Sequence, residues 1–190
     1  MRSTLLCVFC ALVLIPSTAA AQRHTGSVPD EGMSAIGGSI GATLPGDASL
    51  EDGFTLAGNA ETYLTPRVSL RGQVEWMTWN IIGRGFTGSV KPLVFEGNVV
   101  YNWERGAWHP YVTGGVGLFH YAFDIDGLAS GAHDNKFGAD LGGGMEGFIN
   151  LHTTITAEVL YHAVQSPAVS PIGTFESRFW SLRAGIKRYF

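Results

Sequence analysis

The chain has 190 residues, with 12 Lys and Arg against 16 Asp and Glu, which gives a net charge of −4. This length corresponds to a single domain. The mild acidic balance supplies no basic surface for nucleic acid, so we exclude a nucleic-acid partner. Glycine is abundant with 26 residues, aromatic residues are frequent, and no long segment has helical periodicity, which together favour an all-β fold.

The N-terminus has the features of a secretory signal peptide. Arg2 supplies a positive charge, residues 5–15 form an apolar run, and the small residues at 16–21 precede a cleavage site after Ala21. The apolar run is too short to span a bilayer as a helix, and no later window approaches the ~20 apolar residues that a membrane helix needs. The pattern predicts export through a cleaved N-terminal signal peptide.

The chain then divides into three parts. We expect the signal peptide at residues 1–21, a polar and flexible lead-in at residues 22–32, and one β-domain at residues 33–190. Cys7 and Cys10 both lie in the segment to be removed, so the mature chain would contain no cysteine and need no disulfide.

Eight segments of alternating polarity follow the lead-in. The third is the most regular, with Leu70 and Val74 on one face and Arg71 and Glu75 on the other, and such strict alternation predicts a β-strand with one apolar face. The fifth segment is rich in glycine and apolar on both faces near its start, so its facing stays open. The eight segments cover residues 34–44, 54–64, 68–79, 90–103, 110–125, 137–150, 153–165 and 177–190.

The connections between these segments alternate in length. Short turns at residues 65–67, 104–107 and 151–152 alternate with longer loops, rich in Gly, Pro and Asp, at residues 45–53, 80–89, 126–136 and 166–176. Short turns at one end and long loops at the other are typical of membrane β-barrels, whereas a soluble sandwich has no need of this asymmetry. An even number of strands also brings both chain ends to the short-turn end.

Aromatic residues are concentrated at two heights along the strands. We expect two girdles at the membrane interfaces, as membrane barrels have. The set near the short-turn end is Tyr101, Trp103, Trp108, Tyr111 and Phe190, and the set toward the long loops is Phe54, Trp76, Tyr121, Phe123, Phe137, Tyr161 and Trp180.

In a membrane barrel the polar faces of the strands point into the lumen. An eight-stranded lumen is filled by side chains and leaves no aqueous channel. Because unpaired buried charges are costly, we expect a hydrogen-bonded ionic network. A three-residue turn centred on Pro66 places Glu61 opposite Arg71. The predicted network comprises Glu61, Arg71, Glu75, Glu96, Asp140, Glu146, Glu158, His162, Arg183 and Lys187.

The layout of the mature chain, with its stretches PYVTGGVGLFHY, FGADLGGGMEGFI and WSLRAGIKRYF, resembles the small outer-membrane β-barrels of the OmpA/OmpX type. In that family the last residue is typically an aromatic that the barrel-assembly machinery recognises, and Phe190 fits this assembly signal. Arg188, on the same face, departs from the pattern. The resemblance implies a Gram-negative outer-membrane location, contact with membrane lipid and lipopolysaccharide, and a monomer with no cofactor, no metal ion and no catalytic residue.

One stretch of the sequence suggests a catalytic site. LYHAVQSPAVSPIGTFES resembles the end of the lipid A deacylase family, in which His, Ser and Glu form a hydrolytic triad. His162 and Glu176 match the His and the Glu, but Val164 occupies the position of the Ser. Ser166 lies four residues from His162 and is therefore displaced along the strand. Without a nucleophile, we interpret His162 as a structural residue bonded to a lumen carboxylate.

The sequence therefore predicts an eight-stranded antiparallel up-and-down transmembrane β-barrel with a structural or surface-interaction role through its extracellular loops. Ile81, Ile82 and Phe86 at the extracellular rim would contact lipopolysaccharide or a partner, or extend a hairpin above the membrane. One alternative is a lipid A modifying hydrolase. Another is a soluble lipocalin-like barrel with an apolar lumen, but six carboxylates on the inward faces argue against it because they would be costly to bury there.

Overall fold

The computed structural model describes residues 29–82, 88–103, 108–125, 128–166, 168–169, 173–174 and 176–190. The predicted signal peptide and residues 22–28 of the predicted lead-in lie outside the described residues. At the end of that lead-in, the Gly32 amide donates a hydrogen bond of 2.9 Å to the Tyr63 carbonyl. In the described ranges, no helix is long and apolar enough to cross a membrane.

Eight antiparallel strands close into one barrel. Within the described residues the strands are β1 Ser34–Pro45, β2 Gly53–Tyr63, β3 Val68–Ile81, β4 Gly88–Asn102, β5 Trp108–Ile125, β6 Leu128–Asn150, β7 Thr153–Val164, β8 Ala168–Val169, β9 Gly173–Thr174 and β10 Arg178–Tyr189. The order around the barrel is β1-β10-β7-β6-β5-β4-β3-β2, and β8 pairs with β9 apart from it. The predicted fold class is confirmed. Closure pairs every barrel strand on both sides and removes the exposed edges of an open sheet.

Alternation along β3 explains how its faces are arranged. Leu70 and Val74 point outward and are 49% and 44% exposed, whereas Arg71, Gln73 and Glu75 point inward and are at most 5% exposed. This facing is opposite to that of a soluble barrel and is the one that a surrounding bilayer requires. The neighbouring register pairs Glu61 with Arg71, as the short turn predicts.

The alternation inverts near the long-loop end. Beyond Trp76 the outward positions of β3 become polar, at Thr78 and Asn80, and the inward positions become apolar, at Met77, Trp79 and Ile81. The same change occurs on β4 and β5, where Lys91 and Asp124 point outward while Val90 and Phe123 are buried. These strands thus continue beyond the apolar belt as the walls of a second, apolar core.

The barrel interior has three layers. The long-loop end is filled by an apolar layer of Leu50, Met77, Trp79, Ile81, Val90, Val94, Phe119, Tyr121, Phe123, Val164 and Phe179. The short-turn end is filled by Ala35, Tyr63 and Tyr189 with Met33 and Phe148 packed against them. Charged and polar side chains lie between these two layers.

The apolar layer includes one of the three apolar residues expected at the rim. The sequence leaves open whether Ile81 contacts lipopolysaccharide or a partner, or extends a hairpin above the membrane. In the structure it is only 6% exposed and bridges Leu50 of the β1–β2 connection. The residue is buried because the wall continues upward and the connection folds over it. Ile82 is 41% exposed, and Phe86 lies outside the described residues.

The hairpin of β5 and β6 corrects the expectation of a long loop between these strands. Residues 126–136 were predicted to be a loop, but β6 begins at Leu128, and the hairpin pairs His120 with Asn135 and Ile125 with Leu128. The polar, glycine-containing composition suggested a loop. Above the apolar belt, however, a strand needs no apolar outward face, so backbone pairing continues without the alternation that would reveal it.

The aromatic girdles are partly wrong. Tyr111, Tyr121 and Phe123 were assigned to the girdles, but they point inward and are at most 3% exposed. All three lie on β5, which is rich in glycine and apolar on both faces near its start, so its facing was left open. The other members that lie outward and exposed are Trp103, Trp108 and Phe190 at one end, and Phe54, Trp76, Phe137 and Trp180 toward the other.

We predict that a methyl group at Gly41 destabilises closure of the barrel. Gly41 pairs with Arg183 at the seam between β1 and β10, and a Cβ there would lie 1.9 Å from the Leu182 carbonyl oxygen. Overpacking of this kind costs about 1–3 kcal/mol. Gly41→Ala should therefore lower the temperature at which the unboiled barrel loses its folded mobility on SDS gels.

The matched control is Gly72→Ala, because no atom lies within 4 Å of a Cβ at Gly72. Its transition temperature should stay close to that of the unaltered protein. Equal transitions for the two variants would contradict the steric explanation.

Candidate functional site

The polar layer is organised around three cationic side chains, each shared by two carboxylates. Arg71 on β3 bridges its cross-strand neighbour Glu61 and the distant Glu158 on β7. Its Nε lies 3.1 Å from Glu61 Oε2, and its Nη1 lies 2.6 Å from Glu158 Oε2. The pair predicted from the turn between β2 and β3 is thus one side of a bridge across the lumen.

Arg183 on β10 makes the second bridge. Its Nη1 lies 2.7 Å from Glu75 Oε2, and its Nη2 donates to Glu158 Oε1 and, at 3.1 Å, to Gln73 Oε1. Glu158 therefore accepts hydrogen bonds from both arginines. Charge-assisted contacts of this kind are about twice as strong as neutral hydrogen bonds.

Lys187, also on β10, makes the third bridge. Its Nζ lies 2.8 Å from Glu61 Oε2 and also contacts Glu146 Oε1. Tyr189 donates from its hydroxyl to the other oxygen of Glu146. This contact links the ionic layer to the aromatic residues at the short-turn end, where the hydroxyls of Tyr63 and Tyr189 lie 3.1 Å apart.

All ten side chains of the predicted network lie inside the barrel, and none is more than 7% exposed. Nine of them are joined by ion pairs or through Gln73, which donates to Glu75 at 3.3 Å and to Glu96 at 3.0 Å. Asp140 is the exception among the ten, because within the described residues it contacts the side chain of Asn98, whose Nδ2 lies 2.5 Å from Asp140 Oδ1.

Neutral side chains that are not among the ten predicted residues complete the network. Ser69 donates to Glu61, Thr55 donates to Glu75 at 2.6 Å, and Tyr111 donates to Glu158 at 2.9 Å. Alternation places Ser69 and Thr55 on the inward faces, so the sequence carries a signal for these two uncharged residues. Tyr111 carried no such signal because the facing of β5 was open.

His162 lies at the boundary between the ionic and apolar layers. Its Nδ1 is 3.1 Å from Glu96 Oε1, and its Nε2 is 3.1 Å from Ser181 Oγ. The order of contacts, hydroxyl to imidazole to carboxylate, is that of a hydrolytic Ser-His-Glu triad. The sequence offered no sign of it, because Ser181 and Glu96 lie on β10 and β4, far from the stretch that resembles a deacylase.

The triad suggested by that stretch does not assemble. Glu176 is exposed, where its amide donates to Asp47 Oδ2 at 3.1 Å and its carboxylate pairs with Arg178 at 3.3 Å. Val164, in the position of the nucleophile, belongs to the apolar layer. His162 and Glu176 therefore have different surroundings, one in the lumen and one at the rim.

The Ser181 hydroxyl that contacts His162 is buried, which limits the access of a substrate to it. Ser181 and His162 have no exposed surface. Phe179 stacks on the imidazole with ring centroids 4.4 Å apart, and Phe119 meets it edge-on at 6.0 Å. An acyl substrate would have to displace these rings to reach Ser181 Oγ. Across the described part of the chain, no group of three or more His, Cys, Asp or Glu side chains is arranged to hold a metal ion.

Removal of one bridging cation should be strongly destabilising. Arg183→Met would leave Glu75 and Glu158 buried with fewer partners, and loss of one member of a buried ionic group costs about 3–5 kcal/mol. We expect a fall of this size in the free energy of unfolding, measured by urea titration of the barrel in detergent.

The control is Lys91→Met, which removes a cation from an exposed pair with Asp124 at 3.7 Å. An exposed pair contributes about 0–1 kcal/mol. If both variants lost the same stability, the buried bridges would have no special importance.

Known proteins share this architecture. The crystal structure of Neisserial surface protein A superposes with a TM-score of 0.64 at 15% identity, covering 84% of this chain and 100% of that chain. OprG from Pseudomonas aeruginosa gives 0.63 at 15% identity, covering 85% and 97%. Ail of Yersinia pestis gives 0.56 at 13% identity, covering 84% and 99%. At these identities the likeness shows the fold alone.

No curated protein matches the chain in sequence. The family of the outer membrane protein beta-barrel domain matches it over residues 7–187. This match includes all eight barrel strands except the last residues of β10. The chain belongs to the outer membrane protein beta-barrel domain family.

Proposed function

We propose that this outer-membrane barrel has a closed lumen and no enzymatic activity, and that it serves as a structural or surface-interaction protein through its extracellular loops. The observation that carries the proposal is the filling of the lumen by three successive layers of buried side chains. A surface role follows because the lumen is filled, which leaves the loops outside the membrane-embedded scaffold as the part available to bind other molecules.

The proposed orientation places the short turns in the periplasm. Ser34 and Phe190 exchange backbone hydrogen bonds of 3.1 and 3.0 Å, so both ends of the barrel domain meet at the short-turn end. Phe190 is 64% exposed there, accessible as an assembly signal for the barrel-assembly machinery. The proposal includes export by a cleaved signal peptide, a monomeric barrel, and contact of the outward faces with membrane lipid and lipopolysaccharide.

Two features support a closed lumen. Trp79, Phe119 and Phe179 pack together near the extracellular end, with the rings of Trp79 and Phe179 5.1 Å apart. A hydrated ion would have to lose its water to pass such a layer. Below it, a cavity of about 10 Å³ beside Arg71 and Tyr111 has room for about one water molecule.

The closed lumen is tested by conductance in planar lipid bilayers. We expect the purified barrel to insert without discrete conductance steps, because ions find no continuous aqueous path. A general porin measured in the same bilayers shows that insertion is detectable, and recovery of the folded form on an unboiled SDS gel shows that the barrel was intact. Reproducible ohmic steps from the unaltered protein would refute the proposed closed lumen.

A second candidate function rests on the contacts of Ser181, His162 and Glu96, which would suit a lipid A hydrolase if the site opened. We expect lipid A from expressing cells to have the same mass spectrum with the unaltered protein and with Ser181→Ala, because substrate cannot reach the hydroxyl. A fluorophosphonate probe should likewise leave Ser181 unlabelled.

The control variant is Glu176→Gln, which removes the glutamate of the deacylase-like stretch. A mass shift that Ser181→Ala abolishes would establish a hydrolase that uses the buried triad. A shift abolished by Glu176→Gln alone would implicate the rim instead. Either result would overturn the non-enzymatic proposal.

A further inference from the structure

The charges of the lumen are unevenly distributed. The lumen network of the described residues contains six carboxylates and three Lys or Arg side chains. The three cations contact Glu61, Glu75, Glu146 and Glu158, while Glu96 contacts His162. Asp140 forms no ion pair within the described chain, although it is only 5% exposed. A buried carboxylate without a positive partner is costly.

Three of the buried oxygens that have no hydrogen-bond partner among the described residues lie on the adjacent strands β4, β5 and β6. They are Asp140 Oδ2, Asn98 Oδ1 and Thr113 Oγ1. The side chains that carry them are at most 6% exposed. Asn98 Oδ1 can only accept hydrogen bonds, and so can Asp140 Oδ2 when the carboxyl group is ionised. The hydroxyl oxygen of Thr113 can accept as well. The group is therefore rich in electron pairs and poor in donors.

The sheet register brings these side chains to one place on the wall. Asn98 on β4 and Asp140 on β6 both pair with Gly115 on β5. Thr113 lies two positions along β5 from Gly115, on the same inward face. The direct contact between Asn98 and Asp140, at 2.5 Å, spans β5.

Gly115 makes this contact across β5 possible. A Cβ at that position would lie 2.7 Å from Asn98 Cγ and 2.8 Å from Asn98 Nδ2. Any larger residue would push the amide away from Asp140. The glycine thus allows side chains from β4 and β6 to meet over the intervening strand.

We propose that Asp140, Asn98 and Thr113 form a binding site for a small, hard cation. Carboxylate, amide and hydroxyl oxygens are the ligands that such cations prefer. A cation would offset the charge of Asp140 and would be coordinated by all three of these oxygens. A water molecule would satisfy hydrogen bonds but would bring no positive charge into contact with Asp140. This site is independent of the proposed role of the loops and of the proposed closed lumen.

Na⁺ and Ca²⁺ share the required chemistry, and the experiment distinguishes them. The barrel is refolded in detergent in N-methylglucamine chloride, because that cation is too large for the site. Na⁺, K⁺, Mg²⁺ or Ca²⁺ is added before refolding at constant ionic strength. A cation that binds the folded barrel should raise its unfolding temperature in a saturable manner.

The unaltered protein should respond to at least one of these cations and retain one equivalent of radioactive Na⁺ or Ca²⁺ in equilibrium dialysis. Asp140→Asn should abolish both effects. Thr113→Val keeps the shape but removes one ligand, so we expect about a tenfold loss of apparent affinity, equivalent to about 1.4 kcal/mol. A response to Na⁺ alone identifies a monovalent site, and a response to Ca²⁺ alone a divalent one.

The matched control is Asp124→Asn, which removes an exposed carboxylate from the outward face of β5. It should keep the full response. The proposal is overturned if the unfolding temperature of the unaltered protein is independent of the cation. It is also overturned if the response is unsaturable or persists in Asp140→Asn, because general screening by salt would then account for it.

Discussion

The structure depends on the sharing of three buried cations among four buried glutamates. Each cation contacts two carboxylates, and these contacts connect β2, β3, β6, β7 and β10 across the lumen rather than only along neighbouring strands. Backbone pairing closes the barrel wall, but it would tolerate a wall whose polar faces pointed outward. The inward charges therefore fix which face is inside, because they can be neutralised only where they meet one another.

Much of this arrangement was predictable because period-two alternation and turn length are local properties of the sequence. The facing of β3 and the pairing of Glu61 with Arg71 required nothing more. The facing of β5 did not follow, because this strand is rich in glycine and apolar on both faces near its start. Tyr111, Tyr121 and Phe123 were misplaced for that reason. The Ser181 contact with His162 depends on register between distant segments, which no local pattern reports.

The surroundings of His162 show why contacts like those of a hydrolytic triad need not be catalytic. A hydroxyl, an imidazole and a carboxylate in sequence can arise wherever a polar layer satisfies its own hydrogen bonds. Here the same three groups lie beneath Phe179 and Phe119, and the stacked ring that stabilises the imidazole also prevents approach to it. The proposed closed lumen therefore accounts for the arrangement without requiring a catalytic role.

The inversion of polarity along β3 has a further consequence. Below Trp76 the strand belongs to a membrane protein, and beyond it the same strand belongs to a miniature water-soluble β-sheet whose apolar side is sealed by Leu50. In the proposed orientation the outer segment is a small ectodomain that needs no linker, because the barrel wall itself carries it into the aqueous phase. Its shape can change by substitution at the rim without altering the lipid-facing surface that holds the protein in the membrane.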